Sequence, residues 1–398
     1  MSTKSEKIRK NIRLLIIVVI SMMFGSIVTI FLKDSNIKSV KKVSSTEYSE
    51  FEPLYEAYDH IKNEYYKNID TTTLVDGAID GMLNSIGDKH TMYFDKESKK
   101  EFEQELSGTY YGIGAEIQLN SDKTVSIRKI FNDSPAAKAG LKVNDIFVSI
   151  DGKSTDGKNA SDVANMLKSS TVKKSTVVIK RNGEEKSYKI EKENITLFSV
   201  SSNMINSDNK KIGYISVSLF GQKTYSQFYN ALSDLEKENM SSLIIDLRGN
   251  SGGYLTTVTQ MLSIFMDKDT VIYKMKTKNK IVDYNSLMAG KKDYKVVILV
   301  DENSASASEI MASSMKEKYG AILVGKTTYG KGTVQSTANL SDGTMIKYTI
   351  QEWLTPNGNS INGKGIKPDY EVDLSEEYKN NPTNDNDNQL QKAIEILK

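Results

Sequence analysis

Apolar positions along this chain change their spacing several times, and each change marks a different kind of element. Residues 14–32, LLIIVVISMMFGSIVTIFL, carry no charge. At about 1.5 Å of rise per residue they span roughly 28 Å, close to the hydrocarbon thickness of a bilayer, which predicts a transmembrane helix. Lys4, Lys7, Arg9, Lys10 and Arg13 precede the run against one acid, Glu6, while Lys33, Lys38, Lys41 and Lys42 follow it. The stronger basic cluster is N-terminal, so the expectation is a short cytoplasmic tail with the bulk of the chain outside. A cleaved signal peptide is the rival reading, but its apolar stretch is usually about 7 to 15 residues and no small-x-small site follows here.

After a polar linker at 35–45 the pattern turns helical. Phe51, Leu54, Tyr55, Tyr58, Ile61 and Tyr65 recur at spacings of three and four, and a second helix fits 73–86 with Leu74, Ala78, Met82 and Ile86 on one stripe. Such stripes read first as packing faces. From 107 to 192 short alternating strands surround one helix at 161–167. Beyond 193, apolar strands at 212–217, 242–247, 295–300, 321–324 and 345–354 mix with an amphipathic helix at 225–239. The last stretch is polar and Asn-rich, with a short helix from about 388. The predicted class is an α+β/α/β multidomain chain: tail and transmembrane anchor (1–34), linker (35–45), helical region (46–106), small β-domain (107–192), α/β core (193–375) and C-terminal tail (376–398).

Composition narrows the chemistry. Across 398 residues, 53 basic and 51 acidic side chains nearly cancel, so neither a nucleic-acid field nor a trap for acidic substrates is indicated. There is no cysteine, which removes thiol catalysis, disulfides and Cys-based zinc sites together. The two histidines, His60 and His90, lie far upstream of the one serine-rich cluster, so a Ser-His-Asp triad would have to borrow a distant partner.

That cluster, Ser304-Ala305-Ser306-Ala307-Ser308, follows the strand 295–300 and runs into Glu309-Ile310-Met311-Ala312, a strand, tight turn and helix start. A hydroxyl held there lies beside the unpaired N–H groups of a first helical turn, which stabilise a developing anion. Downstream comes Gly330-Lys331-Gly332, with Gln335 four residues after the lysine. A general base near neutral pH needs its lysine pKa lowered by roughly 3 units from about 10.4, a cost of roughly 4 kcal/mol that burial imposes. A phosphate loop over 325–331 is rejected, because Gly332 stands where Ser or Thr would hold magnesium and a strand-like segment follows.

SASASE followed by GKGTVQ resembles the carboxyl-terminal processing peptidases, peptidase family S41, serine proteases with a Ser-Lys dyad and an embedded PDZ domain. The resemblance implies Ser306 as nucleophile, Lys331 as base 25 residues on, and Gln335 orienting the lysine. It also implies a crotonase-like ββα catalytic core. Asp246-Leu247-Arg248-Gly249-Asn250-Ser251-Gly252-Gly253 is similar to the family's DLRxNPGG, with Ser251 in the proline's place. One oxyanion donor would come from Gly252 or Gly253, with the choice left open, and the other from Ala307; Asp246 and Arg248 read as structural.

Gly108 to Gly114, Asp133 to Leu141 and Asn144 to Gly152 resemble a PDZ domain. Its carboxylate loop would be Tyr111, Gly112, Ile113 and Gly114, its peptide-accepting strand 115–119, and its groove wall the helix 161–167. Lys168 stands where relatives carry an activating arginine; it keeps the charge and loses the planar fork, which puts peptide-gated activation in question. Gly87 to Tyr93 resembles the family's turn after the helices, with His90 a turn residue, and the helical region implies a homodimer. The resemblance covers 55–372. It implies a membrane-anchored extracytoplasmic endopeptidase acting on proteins with exposed C-termini, without metal, nucleotide or other cofactor. The competing class is a membrane-tethered PDZ adaptor with a dead peptidase domain, which intact Ser306, Lys331 and Gln335 speak against. A thioester-processing crotonase has no use for the PDZ groove or the GKG lysine.

Overall fold

A computed structural model describes residues 49–169, 173–288 and 290–398. The predicted transmembrane segment 14–32 and the linker 35–45 lie outside these residues. Among the described residues no helix is long and apolar enough to cross a membrane. The described residues fall into two compact units, one up to Gly77 and one over 78–398.

In the first unit the helix Glu52–Glu64 starts with Pro53 in its first turn, where a missing N–H costs nothing. The next helix, Thr71–Asn84, begins two residues earlier than its apolar stripe suggests, because Asp70 accepts both the amide and the hydroxyl of Thr72. The helix Glu52–Glu64 buries none of its residues. Its stripe, expected as a packing face, leaves Leu54, Tyr55, Ile61 and Tyr65 exposed.

Among the described residues the second unit holds three larger sheets and a two-stranded one, Thr109–Gly112 with Glu193–Thr196. Ala115–Leu119, Val125–Ile130, Ile146–Ile150, Lys174–Arg181 and Glu184–Glu191 pair antiparallel, and Lys153–Ser154 pairs with Ile146–Ile150. Ile127, Phe147, Val163, Val177 and Ile179 close a core of their own beneath the helix Ala160–Ser169. A separate apolar core explains why 107–192 reads as its own domain.

The larger sheet runs Val200–Ser207, Lys210–Val217, Ser242–Asp246, Lys295–Val300, Ile322–Gly325 and Tyr370–Glu371. The first pair is antiparallel and every later pair parallel. Alternation splits its side chains between two faces. Leu243, Ile245, Ile298 and Leu323 pack with the helices Thr224–Lys237, Leu255–Leu262 and Ala307–Ser314. Ile244, Val297, Leu299 and Val324 pack with Leu390, Ala393, Ile394 and Leu397. Those last four, spaced at i, i+3, i+4 and i+7, are the apolar face of Asn388–Leu397. The helix expected from about 388 at the end of the segment 376–398 thus covers one face of this sheet.

The third sheet is built on the long strand Met345–Leu354, which pairs with Thr333–Asn339, Met92–Phe94 and Val271–Lys276. It carries residues from the start and the end of the second unit to one place.

Candidate active site

Parallel strands deliver their loops at a common end, and ligands of open α/β sheets bind there. Ser242–Asp246 and Lys295–Val300 are neighbours, with Asp246 opposite Leu299, so the loop 247–254 and the turn 301–306 emerge side by side. Asn250 stitches them together. Its carbonyl accepts Ala305 N at 3.0 Å and Ser308 Oγ at 2.8 Å, while its side-chain nitrogen donates to Val217 O at 2.8 Å. Ser304 Oγ adds a bond to Leu247 O at 2.9 Å. The packing is so close that a Cβ at Gly252 would lie 2.9 Å from Ser306 Cβ, and its φ of +114° already requires glycine.

Ser306 precedes the helix Ala307–Ser314 with φ 54° and ψ −113°, a backbone state that costs a non-glycine residue about 1–3 kcal/mol. Glu309 holds it there. Glu309 is fully buried, and its Oε2 accepts Ser306 N at 2.9 Å and Lys331 N at 2.8 Å. Its Oε1 accepts Thr328 Oγ1 at 2.6 Å and Gly330 N at 2.7 Å. One carboxylate therefore ties the serine turn to the lysine loop and satisfies all four donors. In the sequence Glu309 stands out only as the end of SASASE; its spacing of three from Ser306 is the capping-box signal that marks the role.

Ser306, Lys331 and Gln335 line one cavity of about 640 Å³, together with Gly253, Lys347 and Trp353. Trp353 Nε1 donates to Lys331 O at 2.9 Å and so fixes the lysine backbone. Burial lowers the Lys331 ammonium below the ordinary lysine value; Lys347 pushes the same way, and the carboxylates of Glu309 and Asp88 pull against it. Among the described residues Lys331 Nζ has no hydrogen bond, either to Ser306 Oγ or to another group. Gln335 Nε2 donates to Thr333 Oγ1 at 2.9 Å and Thr349 Oγ1 at 3.2 Å, which leaves its carbonyl oxygen over. His90 borders this region: burial first, then the charge of Lys331, holds its imidazole below the usual histidine range.

The two glycines separate cleanly. Gly252 N is already donated to Asn250 Oδ1 at 2.9 Å. Among the described residues the amides of Gly253 and Ala307 donate to nothing, and Gly253 lines the cavity. Asp246 and Arg248 form a buried network with Asp387 and Tyr214: Arg248 Nη2 lies 2.6 Å from Asp246 Oδ2 and 2.7 Å from Asp387 Oδ2, and the Tyr214 hydroxyl donates to Asp246 at 2.8 Å. They anchor the C-terminal helix at the strand end. Among the described residues no three His, Asp or Glu side chains cluster as a metal site requires.

A second cavity, of about 490 Å³, lies between Ala115–Leu119 and Ala160–Ser169 and includes Gly112, Ile113 and Lys168. Tyr111 and Gly112, expected in a loop, belong to the strand Thr109–Gly112, paired with Asn194 and Glu193. Ile113 is buried, and only Gly114, at φ +77°, makes the turn. Tyr110 reaches into this groove unforeseen. Burial raises its phenol, and the backbone N–H groups of Gly114 and Ala115 act in the opposite sense. The helix Lys96–Ser107 serves both cavities, with Glu101 and Gln104 on the groove and Phe102 and Leu106 on the site of Ser306.

Three family models match the sequence: Peptidase family S41 over 211–372, the PDZ domain over 131–181, and the Activating protease CtpB N-terminal domain over 20–98. The carboxy-terminal processing protease CtpA of Bacillus subtilis (strain 168) is 34% identical over 405 residues, 98% of this chain and 85% of that protein. CtpB of the same organism is 39% identical over 318 residues, 79% of this chain and 66% of that protein. A putative S41 protease from Bacteroides fragilis NCTC 9343, 16% identical, shares the fold with a TM-score of 0.53 over 80% of this chain and 89% of that one. On the strength of a relative matched over nearly its whole length, and of a core and PDZ domain recognised separately, the chain belongs to peptidase family S41.

Proposed function

We propose that this protein is a membrane-anchored serine endopeptidase with a Ser306-Lys331 dyad, which takes the C-terminal end of a protein in its PDZ groove and cuts peptide bonds outside the cytoplasm. The observation that carries the reading is the convergence of Ser306, Lys331 and Gln335 on one cavity, with the lysine desolvated. Neutral Lys331 takes the Ser306 proton, and the alkoxide attacks the scissile carbonyl. The resulting oxyanion is received by the N–H groups of Gly253 and Ala307. Lys331 then protonates the leaving amine and activates the water that releases the acyl group. Gln335 holds the amine through its carbonyl oxygen.

The dyad is not hydrogen-bonded in this resting arrangement, and catalytic bonds commonly tighten only with substrate present. The helix Lys96–Ser107, bordering both groove and site, supports a gating role for peptide capture. Residues 14–32 supply the anchor. The exposed apolar stripe of Glu52–Glu64 supports pairing of two copies.

The test is cleavage of an unstructured protein by the full chain. Ser306→Ala should abolish it while leaving thermal melting nearly unchanged, and Lys331→Arg should be inactive near pH 7 because a guanidinium cannot serve as a neutral base. Retained cleavage by a clean Ser306→Ala preparation excludes the nucleophile. Extraction from membranes by detergent but not by salt, and protection of the N-terminus from external protease, check the topology.

A further inference from the structure

The turn that precedes Met92–Phe94 reaches the site through the third sheet. Met92–Phe94 pairs with Met345–Leu354, Met92 opposite Lys347, and the same long strand carries Thr349 directly opposite Gln335. A bulge between Val334 and Gln335 re-aims the glutamine. Together these bring Asp88, which neither the fold nor the proposed chemistry has so far needed, into line with Gln335.

The direction of the resulting relay follows from donor and acceptor chemistry. A carboxylate only accepts. Asp88 Oδ1 accepts His90 N at 3.0 Å, and Oδ2 accepts Thr91 Oγ1 at 2.7 Å and Thr349 Oγ1 at 2.5 Å. Thr349 has thus given its one hydroxyl proton to Asp88, and its oxygen offers only lone pairs to Gln335. The end of Gln335 that meets it, at 3.2 Å, has to be the amide nitrogen, whose other N–H goes to Thr333. Amide orientation is decided by such networks, and this one leaves the carbonyl oxygen as the free end. Were Asp88 a donor, Thr349 would turn its proton toward Gln335, the amide would flip, and an NH₂ group would confront the lysine.

We propose that Asp88 is a positioning residue for the base: its negative charge, relayed through Thr349, locks the Gln335 amide in the orientation whose oxygen accepts an N–H of neutral Lys331, leaving the lysine lone pair directed at Ser306. The inference rests on the Ser306-Lys331-Gln335 reading above. The charges around the lysine are Glu309 from the nucleophile helix, Lys347 from the long strand, and Asp88 and Lys89 from the turn, with His90 beside them. Removing the Asp88 carboxylate takes away one of the two groups that support the ammonium.

The test measures kcat and KM of the full chain on casein across pH, with Ser306→Ala as the blank. Asp88→Asn should lower kcat roughly tenfold or more with KM within about twofold, and should move the acidic limb of the kcat profile to lower pH. Added to Gln335→Ala, it should cost nothing more, because both changes break one unit. Thr349→Val should reproduce the Asp88→Asn defect and Thr349→Ser should recover most of it; this pair decides the matter if Asp88→Asn fails to fold. Wild-type kcat in Asp88→Asn, an unmoved limb, or additive losses in the double variant would overturn the positioning role while leaving the dyad intact. Cleavage retained by Ser306→Ala would overturn the dyad, and this inference with it.

Discussion

Glu309→Gln is the substitution whose consequence can be worked furthest from the structure. The parent carboxylate is fully buried and accepts four hydrogen bonds. The isosteric amide has one acceptor oxygen and one donor NH₂, so two of the four donors must now face a donor. The least damaging orientation turns NH₂ toward Thr328 and Gly330. Thr328 Oγ1 already accepts Ile366 N at 2.7 Å; it can accept the new amide only by orphaning its own proton, and Gly330 N–H gains no partner. Hydrogen bonds to a charged acceptor contribute about 1.5–3 kcal/mol each. Losing two and weakening two, offset by the smaller desolvation of a neutral group, leaves a net destabilisation of about 2–4 kcal/mol. By the scaling for domains of 150–250 residues that is a drop in Tm of roughly 4–16 °C. Activity should fall with it, because Ser306 and Lys331 are both positioned through this carboxylate. Differential scanning calorimetry and cleavage of casein by the same preparation read both effects. A variant that melts within about 1 °C of the parent and keeps its kcat would refute the claim that Glu309 sets the distance between the two loops.

Three further outcomes are expected. Burial holds Lys331 below the ordinary 10.5 of a lysine, so the unfolded chain binds more protons between the lowered value and 10.5; the lysine costs stability below that window, and the cost fades as pH rises through it. Lys331→Met should therefore melt higher at pH 7, with the advantage shrinking as pH approaches 10.5, and melting curves with no such convergence would count against a desolvated amine. Asp387→Ala strips one of two carboxylate partners from the largely buried Arg248, which keeps Asp246, at a cost of about 1–3 kcal/mol, and hydrogen exchange should rise first in Asn388–Leu397; unaltered protection there would show that the helix is held by its apolar face alone. Gly252→Ala puts a Cβ 2.9 Å from Ser306 Cβ at a φ of +114°, so kcat should collapse with a loss of about 1–3 kcal/mol, and a fully active variant would show that the two loops are not packed as described.

What could be read without coordinates was whatever depends on local order. The uncharged buried run KVVILV, a small-residue turn and a helix start place Ser306 at a strand-to-helix corner, because a strand buried on both faces has no other composition. Gly330-Lys331-Gly332 and Gln335 were legible as a spaced motif. The helix from about 388 was legible too, but that its stripe Leu390, Ala393, Ile394 and Leu397 packs on the large sheet was not.

The sequence by itself determined which residues are candidates for the chemistry and where the strands and helices fall, since residue type, periodicity and spacing are properties of the chain alone. Only the tertiary structure decided who serves whom: that Glu309 spans the serine and lysine loops, that Gly252 has spent its amide while Gly253 has not, and that Asp88 reaches Gln335 across a strand from a position more than two hundred residues earlier. Those relations rest on hydrogen bonds whose partners are adjacent in sheet register and remote in sequence, and no local pattern encodes which donor will meet which acceptor until the strands have paired.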